Sequence, residues 1–445
     1  MNDTPNGKQL PVLASRLRKV LEWLCRRIAE VLNIPLWLLS FLIPKSDQIR
    51  VFGSWFSEKY SDNPKWLYEY MTKHVQEVRA IWLSRNKDVI HVLRQRGMEA
   101  YLTYSLRGYW YSGRAKVGVV CRGILDINRF VKPPVLINTW HGTPIKKVGE
   151  EFRLFRAQQR HGGRLRDLAN KISMSWFRLF SFSDSISPEK YYSLYTAGSQ
   201  AEAELLKKSF GNVNVKVTGQ PRNDVLCGSF DDQMAKQSTK KQVLYLPTHR
   251  FEGRQRIVPY IVKGINEVDS LLGDLNAHMI IKLHFVHRHE NAALASALKD
   301  FTNISVLDDE TTEDIYPLLR STDILIIDYS SVYVDYLLTT LPIIFFPFDL
   351  DDYMARERPF NFDYMSITPG PKCWDWHGVA LWIKRFCEDP TPYLEERLRL
   401  KELFHEFDDG RNCERVVAAI KELLSGLKDH NSEFAYETAV RTGQH

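Results

Sequence analysis

Cysteine is scarce in this sequence and never paired: Cys25, Cys121, Cys227, Cys373, Cys387 and Cys413 lie far apart, with no Cys-x-x-Cys. Such spacing disfavours a zinc site or a disulfide scaffold and fits a reducing cytoplasm. Nowhere do about 18 apolar residues run together, so a conventional membrane span is not expected. The longest apolar run, Ile34 to Ile43, follows mixed basic sequence and lacks a small-x-small cleavage site, which argues against a secretory signal. Neither sign of charge dominates: 60 Lys and Arg against 54 Asp and Glu leave +6, too small an excess to imply nucleic-acid binding. No internal repeat or low-complexity linker is visible. What remains, 44% hydrophobic and 26% charged residues in a chain of 445, is the composition of a folded protein. The length suits about two or three domains.

The charge that is present is unevenly placed. Between Leu13 and Leu32, Leu13, Leu17, Val20, Leu21, Leu24, Ile28, Val31 and Leu32 recur at three- and four-residue intervals, one face of a helix. Arg16, Lys19, Arg26 and Arg27 lie largely off that face, and the apolar IPLWLLSFLI follows directly. A basic amphipathic helix leading into a short apolar segment suits an anionic membrane surface. The alternative is a helix packed on the protein's own body. Residues 144–178 carry nine basic side chains against three acidic ones, interleaved with Phe152, Phe155, Trp176 and Phe177. That stretch suits an anionic membrane, a nucleic acid or a phosphorylated acceptor, or is a solvated helix face.

From Ile49 onward, short β-branched or aromatic runs alternate with helical stretches. The first series is IRVFGSW (49–55), VRAIWLS (78–84), AKVGVV (115–120) and VLINTW (135–140). A second follows: VNVKVTG (213–219), QVLYLPT (242–248), HMIIKLH (278–284), ISVL (304–307), DILIID (323–328) and PIIFFPF (342–348). Strands separated by helices predict parallel sheets built from βαβ units, here an α/β chain of two doubly wound domains facing a cleft. The expected division is a membrane-associating segment over 1–48, an N-terminal acceptor domain over 49–219, a C-terminal donor-binding domain over 220–430 and a tail over 431–445.

Candidate chemistry lies where these runs end, since open α/β sheets bind ligands at the carboxyl ends of their strands. NTWHGTPIKK (138–147) places His141 before a tight Gly-Thr-Pro turn that includes Thr143. A histidine there is suited to taking a proton from a hydroxyl nucleophile. STDILIIDYSSVYVDY (321–336) ends a strand at Asp328 and opens a helix after Ser330 and Ser331, whose hydroxyls and neighbouring amides suit a phosphate; plain N-capping is the alternative. Asp335, about one turn along, is placed to point back and hold a substrate hydroxyl. His284 ends another strand as a hydrogen-bond donor to phosphate, with His287 and His289 as loop residues that match no usual metal pattern. Thr248 and Arg250 close YLPTHR, and a guanidinium suits phosphate. GQPRND (219–224) reads as a turn with a basic tip, a hinge or a ligand loop. DLDD (349–352) reads as a solvated acidic loop more than a metal-nucleotide site.

Taken in order, WHGTPIKK, GQPRND, LPTHR, KLH, STDILIIDYSSVYVDY, FDLDDY, FDY with PGP, and DGRNCERV resemble the CDP-glycerol glycerophosphotransferase family, the teichoic acid primases and polymerases and related capsule enzymes. The likeness spans roughly 135–420, and IPLWLLSFLIPK through PKWLYEY resembles the amino-terminal part of members linked to surface polysaccharide. It implies a GT-B-like pair of Rossmann-type domains and transfer of glycerol phosphate from CDP-glycerol to a hydroxyl of a lipid-linked or polysaccharide acceptor, with release of CMP. It also implies peripheral attachment to the cytoplasmic face of the cell membrane. The alternatives are CDP-ribitol or another polyol-phosphate donor, a GT-B sugar-nucleotide glycosyltransferase, or a non-catalytic membrane-associated scaffold. By the same likeness His141 matches the base, His284 the histidine near the donor pyrophosphate, and Ser330, Ser331 and Asp335 the phosphate- and glycerol-contacting positions. No cofactor or metal cage is implied, beyond a divalent cation riding on the pyrophosphate. Two positions depart from the pattern: Arg358-Pro359-Phe360-Asn361 stands where many members have Arg-Gly-x-Tyr, and Phe285 replaces the proline after KLH.

Overall fold

A computed structural model of the chain describes residue 28 and residues 31–159, 191–228, 239–250, 257–307 and 314–442. The amphipathic stretch up to residue 27, and residues 160–178 of the basic segment, lie outside the described residues. Seven parallel strands form the first sheet: β1 (Ser46–Phe52), β2 (Arg79–Ser84), β3 (Ala100–Leu102), β4 (Ala115–Val120), β5 (Val135–Asn138), β6 (Leu194–Ala197) and β7 (Val215–Val217). Their spatial order is β3-β2-β1-β4-β5-β6-β7. A second sheet holds β8 (Lys241–Leu246), β9 (Ala277–Ile281), β10 (Ile304–Val306), β11 (Ile324–Ile327) and β12 (Ile343–Phe345), in the order β10-β9-β8-β11-β12.

Every expected run forms a strand, and the central ones, such as β2, β4, β5 and β11, are buried on both faces, as a parallel sheet covered by helices requires. Two strands escaped the reading. Ala100–Leu102 and Leu194–Ala197 are three and four residues long, too short to show a pattern. The 213–219 run, listed with the second series but placed before the expected boundary at 219, supplies β7 and pairs with β6 at the edge of the first sheet. Runs of like composition do not reveal which sheet they join.

In both sheets the strand order reverses beside the first strand, between β1 and β4 and between β8 and β11. Those switch points open the crevices where doubly wound sheets take ligands. One core cluster draws on both sheets: Phe52, Trp82 and Ile137 from the first share it with Leu325, Ile327 and Phe345 from the second. The helix Asn412–Thr442 returns to the first sheet, packing on the helix Asp62–His74. Its first turn is held by Asp224, whose carboxylate accepts from Asn412 N and Cys413 N at 2.8 Å each. Chain order therefore does not separate the two halves: sequence beyond residue 411 belongs spatially to both.

The basic tip of GQPRND points inward. Gly219, at φ +73°, is bare because a Cβ there would lie 1.9 Å from Asn412 Oδ1. The loop can therefore pass beneath the C-terminal helix and deliver Arg222 to the junction, where its side chain is 1% exposed. Arg222 Nη1 donates to Asp62 Oδ1 at 3.0 Å; Nε and Nη2 donate to Asp335 at 3.3 and 3.2 Å. Tyr316 Oη adds a bond to Asp335 Oδ2 at 2.8 Å. Next to it, Asp314 accepts from Asp62 N and Trp66 Nε1. Residues 62 and 66 belong to the first sheet's side, and 314, 316 and 335 to the second's. One guanidinium thus joins the two.

Removing one member of a buried ion pair strands the others, at about 3–5 kcal/mol. Arg222→Ala is expected to lose that much unfolding free energy in chemical denaturation. Asp335→Asn, which keeps an acceptor, is expected to lose less. A surface-like loss below about 1 kcal/mol for Arg222→Ala would show that the network does not hold the halves together.

Candidate active site

His141 is presented by a strained and well-braced strand end. Beyond β5, Asn138 Oδ1 accepts from Trp140 N at 3.0 Å, and Trp140 adopts φ 57°. Asn63 Nδ2 fastens the turn by donating to the carbonyls of Thr139 (2.8 Å) and Trp140 (3.1 Å). Gly142 follows at φ 142°, and a Cβ on it would sit 2.8 Å from Ser331 Oγ. The missing side chain is what lets the first domain's histidine turn approach Ser331 of the second domain. Thr143 is buried and its carbonyl turns the chain by accepting from Ile145 N.

The β1 switch-point loop forms the opposite wall. Trp55, Phe56 and Ser57 take left-handed φ of 47°, 61° and 65° in succession. Such conformations cost about 1–3 kcal/mol each and persist only where surroundings over-determine them. Here Phe56 N donates to Asp126 Oδ1 at 2.7 Å, Ser57 Oγ lies 2.6 Å from Thr103 Oγ1, and Trp55 Nε1 donates to Asp62 Oδ2. The hook stands Trp55 edge-on to His141, ring centroids 5.7 Å apart, and Arg122 from the end of β4 lies over both Trp55 and Phe56. His141 Nδ1 is buried and has no hydrogen-bond partner among the described residues.

After Thr143 the loop is strapped to the second domain. Lys147 N donates to Pro359 O, Asn361 N to Ile145 O, and Asn361 Nδ2 to Pro144 O, all at 2.8 Å. The Arg358–Asn361 departure is therefore the partner of the histidine loop, not a free part of a pocket. Between these bonds Lys146 crosses the cleft, and its Nζ donates to Tyr353 Oη at 3.0 Å. On the far side His284 stacks on His249, ring centroids 4.3 Å apart.

These groups share one electrostatic condition. Burial above all, then the charges of Arg122, Arg222 and Arg358, holds His141 well below the usual imidazole range, while a hydrogen bond with the Cys121 backbone opposes the shift. Burial, then His249, Lys59, His287 and Arg122, does the same to His284. His249 falls to about 3 through burial and then Lys146 and Arg358. Lys146 is lowered to about 7 by burial and then Arg358, with Asp328 opposing. The cleft gathers cations and potential cations while the nearest carboxylates are engaged elsewhere. Gathered cations favour an anionic ligand there, and burial disfavours the protonated forms of the imidazoles.

The serines and their neighbours divide. Ser331 makes no side-chain cap bond, and Ser330 Oγ accepts only a long bond from Val332 N at 3.4 Å, so neither hydroxyl is spent on capping. The expectation for Asp335 is corrected: its carboxylate is buried against Arg222 and Tyr316 and does not face the cleft. Arg250 is corrected as well. It donates four hydrogen bonds, two to Asp349, one to Asp328 and one to Thr248 O, which leaves one of its five N–H groups. Thr248 bonds Asp328 through both its amide and its hydroxyl. Together these residues fix the β8–β11 switch point from beneath. His287, His289 and Glu290 lie close enough to hold a metal ion. Both nitrogens of His287 are already engaged, Nε2 accepting from Arg250 N and Nδ1 bonded to Glu290, so the cluster reads as a brace.

Arg122, Lys146, His249 and the Trp55–Ser57 hook were not singled out from the sequence. Strand ends at β1, β4 and β8 were the available signal, but the switch points are visible only once strand order is known.

A family model described as CDP-glycerol:poly(glycerophosphate) glycerophosphotransferase matches residues 36–422. The teichoic acid poly(glycerol phosphate) polymerase of Staphylococcus epidermidis is 28% identical over 396 residues, 84% of this chain and 51% of that protein. The teichoic acid glycerol-phosphate transferase of Staphylococcus aureus is 27% identical over 380 residues, covering 83% of this chain and 92% of its own length. This chain thus spans about half of the first relative and nearly all of the second. The solved structure of the wall teichoic acid polymerase TagF superposes with a TM-score of 0.69 at 23% identity, covering 93% of this chain and 99% of that one, a likeness of fold.

An anion entering this cleft raises proton affinities that burial and neighbouring cations had depressed, so its binding takes up protons. Titration of inorganic pyrophosphate at pH 7.5 is expected to give heats that vary with the ionisation enthalpy of the buffer, in the sense of net uptake. Lys146→Met is expected to reduce that uptake. Heats independent of buffer in the parent protein would contradict the account.

Proposed function

Because the chain belongs to the CDP-glycerol:poly(glycerophosphate) glycerophosphotransferase family, we propose that it transfers glycerol phosphate from CDP-glycerol to a hydroxyl of a membrane-associated acceptor and releases CMP. The observation that carries this reading is the contact of the His141–Gly142 turn with Ser331 across the junction, inside a cation-rich cleft. A base from one domain and a phosphate cradle from the other are what an in-line displacement needs.

In this mechanism the donor pyrophosphate lies between the domains, against Ser330, Ser331, His284 and Lys146. The acceptor oxygen attacks the β-phosphorus, a new P–O bond forms, and the bond to the CMP oxygen breaks. His141, neutral because its site disfavours the imidazolium, takes the acceptor proton. Its low basicity costs driving force, which the incoming negative charge restores by raising its proton affinity. His284 and Lys146, protonated as the anion binds, balance charge on the equatorial and leaving oxygens. Thr248, Arg250 and Asp335 act through others, holding the second domain's switch point and the junction in place. Thr143 shapes the turn. The charge-stabilising work is assigned to side chains, and no resident cofactor is assigned.

Attachment to an anionic membrane surface is part of the proposal. Among the described residues no helix is long and apolar enough to cross a membrane. The helix Ile34–Ser40 docks through Ile34 and Trp37 on Phe130 and Val131, yet leaves Leu38, Leu39, Phe41 and Leu42 more than half exposed. An apolar ridge of that kind suits shallow insertion at the cytoplasmic face.

His141→Ala is expected to keep donor binding and lower kcat by about 10²–10⁴. CMP release and phosphodiester formation, followed with CDP-glycerol and CDP-ribitol in parallel, are the measurements. Near-parental turnover of that variant would overturn the assignment of the base, and a glycosidic product would overturn the reaction class. Phe41→Ser with Leu42→Ser is expected to reduce co-sedimentation with anionic vesicles while leaving turnover of a soluble acceptor unchanged.

A further inference from the structure

A second cationic site lies on the same rim of the first sheet as the cleft but beyond its far wall. The helix Lys87–Gln95, β3 and the start of the helix Leu106–Arg114 border an open groove of about 830 Å³ lined by Lys87, His91, Arg94, Tyr101 and Arg107. Two guanidinium groups share one ring there: Arg94 lies 5.3 Å and Arg107 5.6 Å from the centroid of Tyr101. Arg94 is held in place because its Nε donates to Ala100 O at 3.0 Å. Among the lining residues only Asp88 carries a negative charge. Like charges gathered around one aromatic face, with a single carboxylate against three permanent cations, favour an anionic occupant. Ser105 already satisfies the helix start by accepting from Gly108 N, so the site is made by side chains.

Its position relates it to the cleft. The Trp55–Ser57 hook that faces His141 on one side reaches this edge on the other: Arg85 N donates to Ser57 O, Ser57 Oγ meets Thr103 Oγ1, and Arg85 pairs with Glu58 at 3.4 Å. Lys87 follows two residues later. The hook therefore joins the wall of the cleft to the β2–helix connection that opens onto Lys87, Arg94 and Arg107.

We propose that this groove is an acceptor subsite that holds a phosphodiester of the acceptor chain some units behind the hydroxyl being extended. The inference rests on the transferase reading above and adds to it a second place on this chain where a phosphodiester-bearing acceptor is held. An extended anion reaching both sites gains affinity from the second at small further cost in freedom, since the first already tethers it.

The test uses the full chain with Lys87→Glu and Arg107→Glu combined, and with the milder Lys87→Gln and Arg107→Gln pair in case charge reversal impairs folding. A fluorescent oligo(glycerol phosphate) of several units, titrated without donor, is expected to bind the Glu variant about tenfold more weakly and with a shallower salt dependence. In turnover, KM for that oligomer is expected to rise about tenfold with kcat unchanged, while a one-unit acceptor is unaffected. A control with Lys263→Glu and Lys299→Glu, exposed cations of the second domain, is expected to behave as the parent. Unchanged oligomer binding would overturn the proposal, and so would equal losses for long and short acceptors or for the control. Lost binding to anionic vesicles with oligomer binding intact would assign the site to lipid headgroups and overturn it too. If the parent turns over neither CDP-polyol while oligomer binding still depends on Lys87 and Arg107, the transferase reading fails and the anion site stands.

Discussion

The structure turns on a guanidinium that has been taken out of water. Arg222 is almost wholly buried between Asp62 and Asp335, and its desolvation is tolerable only because both carboxylates and the surrounding hydrogen bonds are in place together. Such a pair contributes little net stability compared with a well-packed apolar alternative. What it supplies is geometry. Asp62 also receives Trp55 Nε1, and the Arg222 amide donates to Asn63 Oδ1, while Asn63 Nδ2 grips the turn before His141. The position of His141, the wall it faces and the helix that follows Ser331 are all referred to one point. A hydrophobic junction of equal strength would allow sliding; a directional ion pair does not.

Around that fixed point the cleft is kept electrostatically unsatisfied. Arg250 spends itself on Asp328 and Asp349, and Arg222 on Asp62 and Asp335, so carboxylates are removed from the solvent side of the site. The groups left facing inward are imidazoles and a lysine whose protonated forms are disfavoured in the empty state. A diphosphate changes the balance for all of them at once. On the proposed mechanism His284 and Lys146 take up protons as the diphosphate binds, and His141 stays neutral to receive the proton of the acceptor hydroxyl. Preorganised donors in a water-poor cleft act most strongly on charge that develops during reaction. The strained Trp55–Ser57 backbone belongs to this arrangement. It gives the cleft an aromatic wall, braced from behind by Asp62 and Asp126.

Membership of the family also clarifies the departures. The Arg358–Asn361 segment differs from the commoner pattern, yet its backbone forms the strap to residues 144–147, an interaction that depends on main-chain groups. Pro359 contributes only a carbonyl, which proline retains, so the substitution is compatible with the strap. The side chain of Lys146 between the two hydrogen-bonded pairs is thereby held across the junction. Within the segment, Pro359 and Asn361 latch the two domains, while the charge of Arg358 acts on His141, His249 and Lys146.

Local sequence determined the strands, their parallel character and the turn that bears His141, because burial on both faces and Gly-Thr-Pro geometry leave their mark within a few residues. It also pointed to Ser330 and Ser331, since a strand end followed by hydroxyls and a helix is a local arrangement. The assignments of Arg250, Asp335 and Arg222 depended on partners 78 to 160 residues away, and nothing near them in the chain says whether a charged side chain will face a ligand or a buried carboxylate. The two short strands, the sheet to which β7 belongs and the switch points themselves were decided by tertiary pairing. So was the depressed proton affinity of the cleft, for that arises from desolvation and from cations contributed by both halves of the chain, quantities that exist only after the halves have closed on one another.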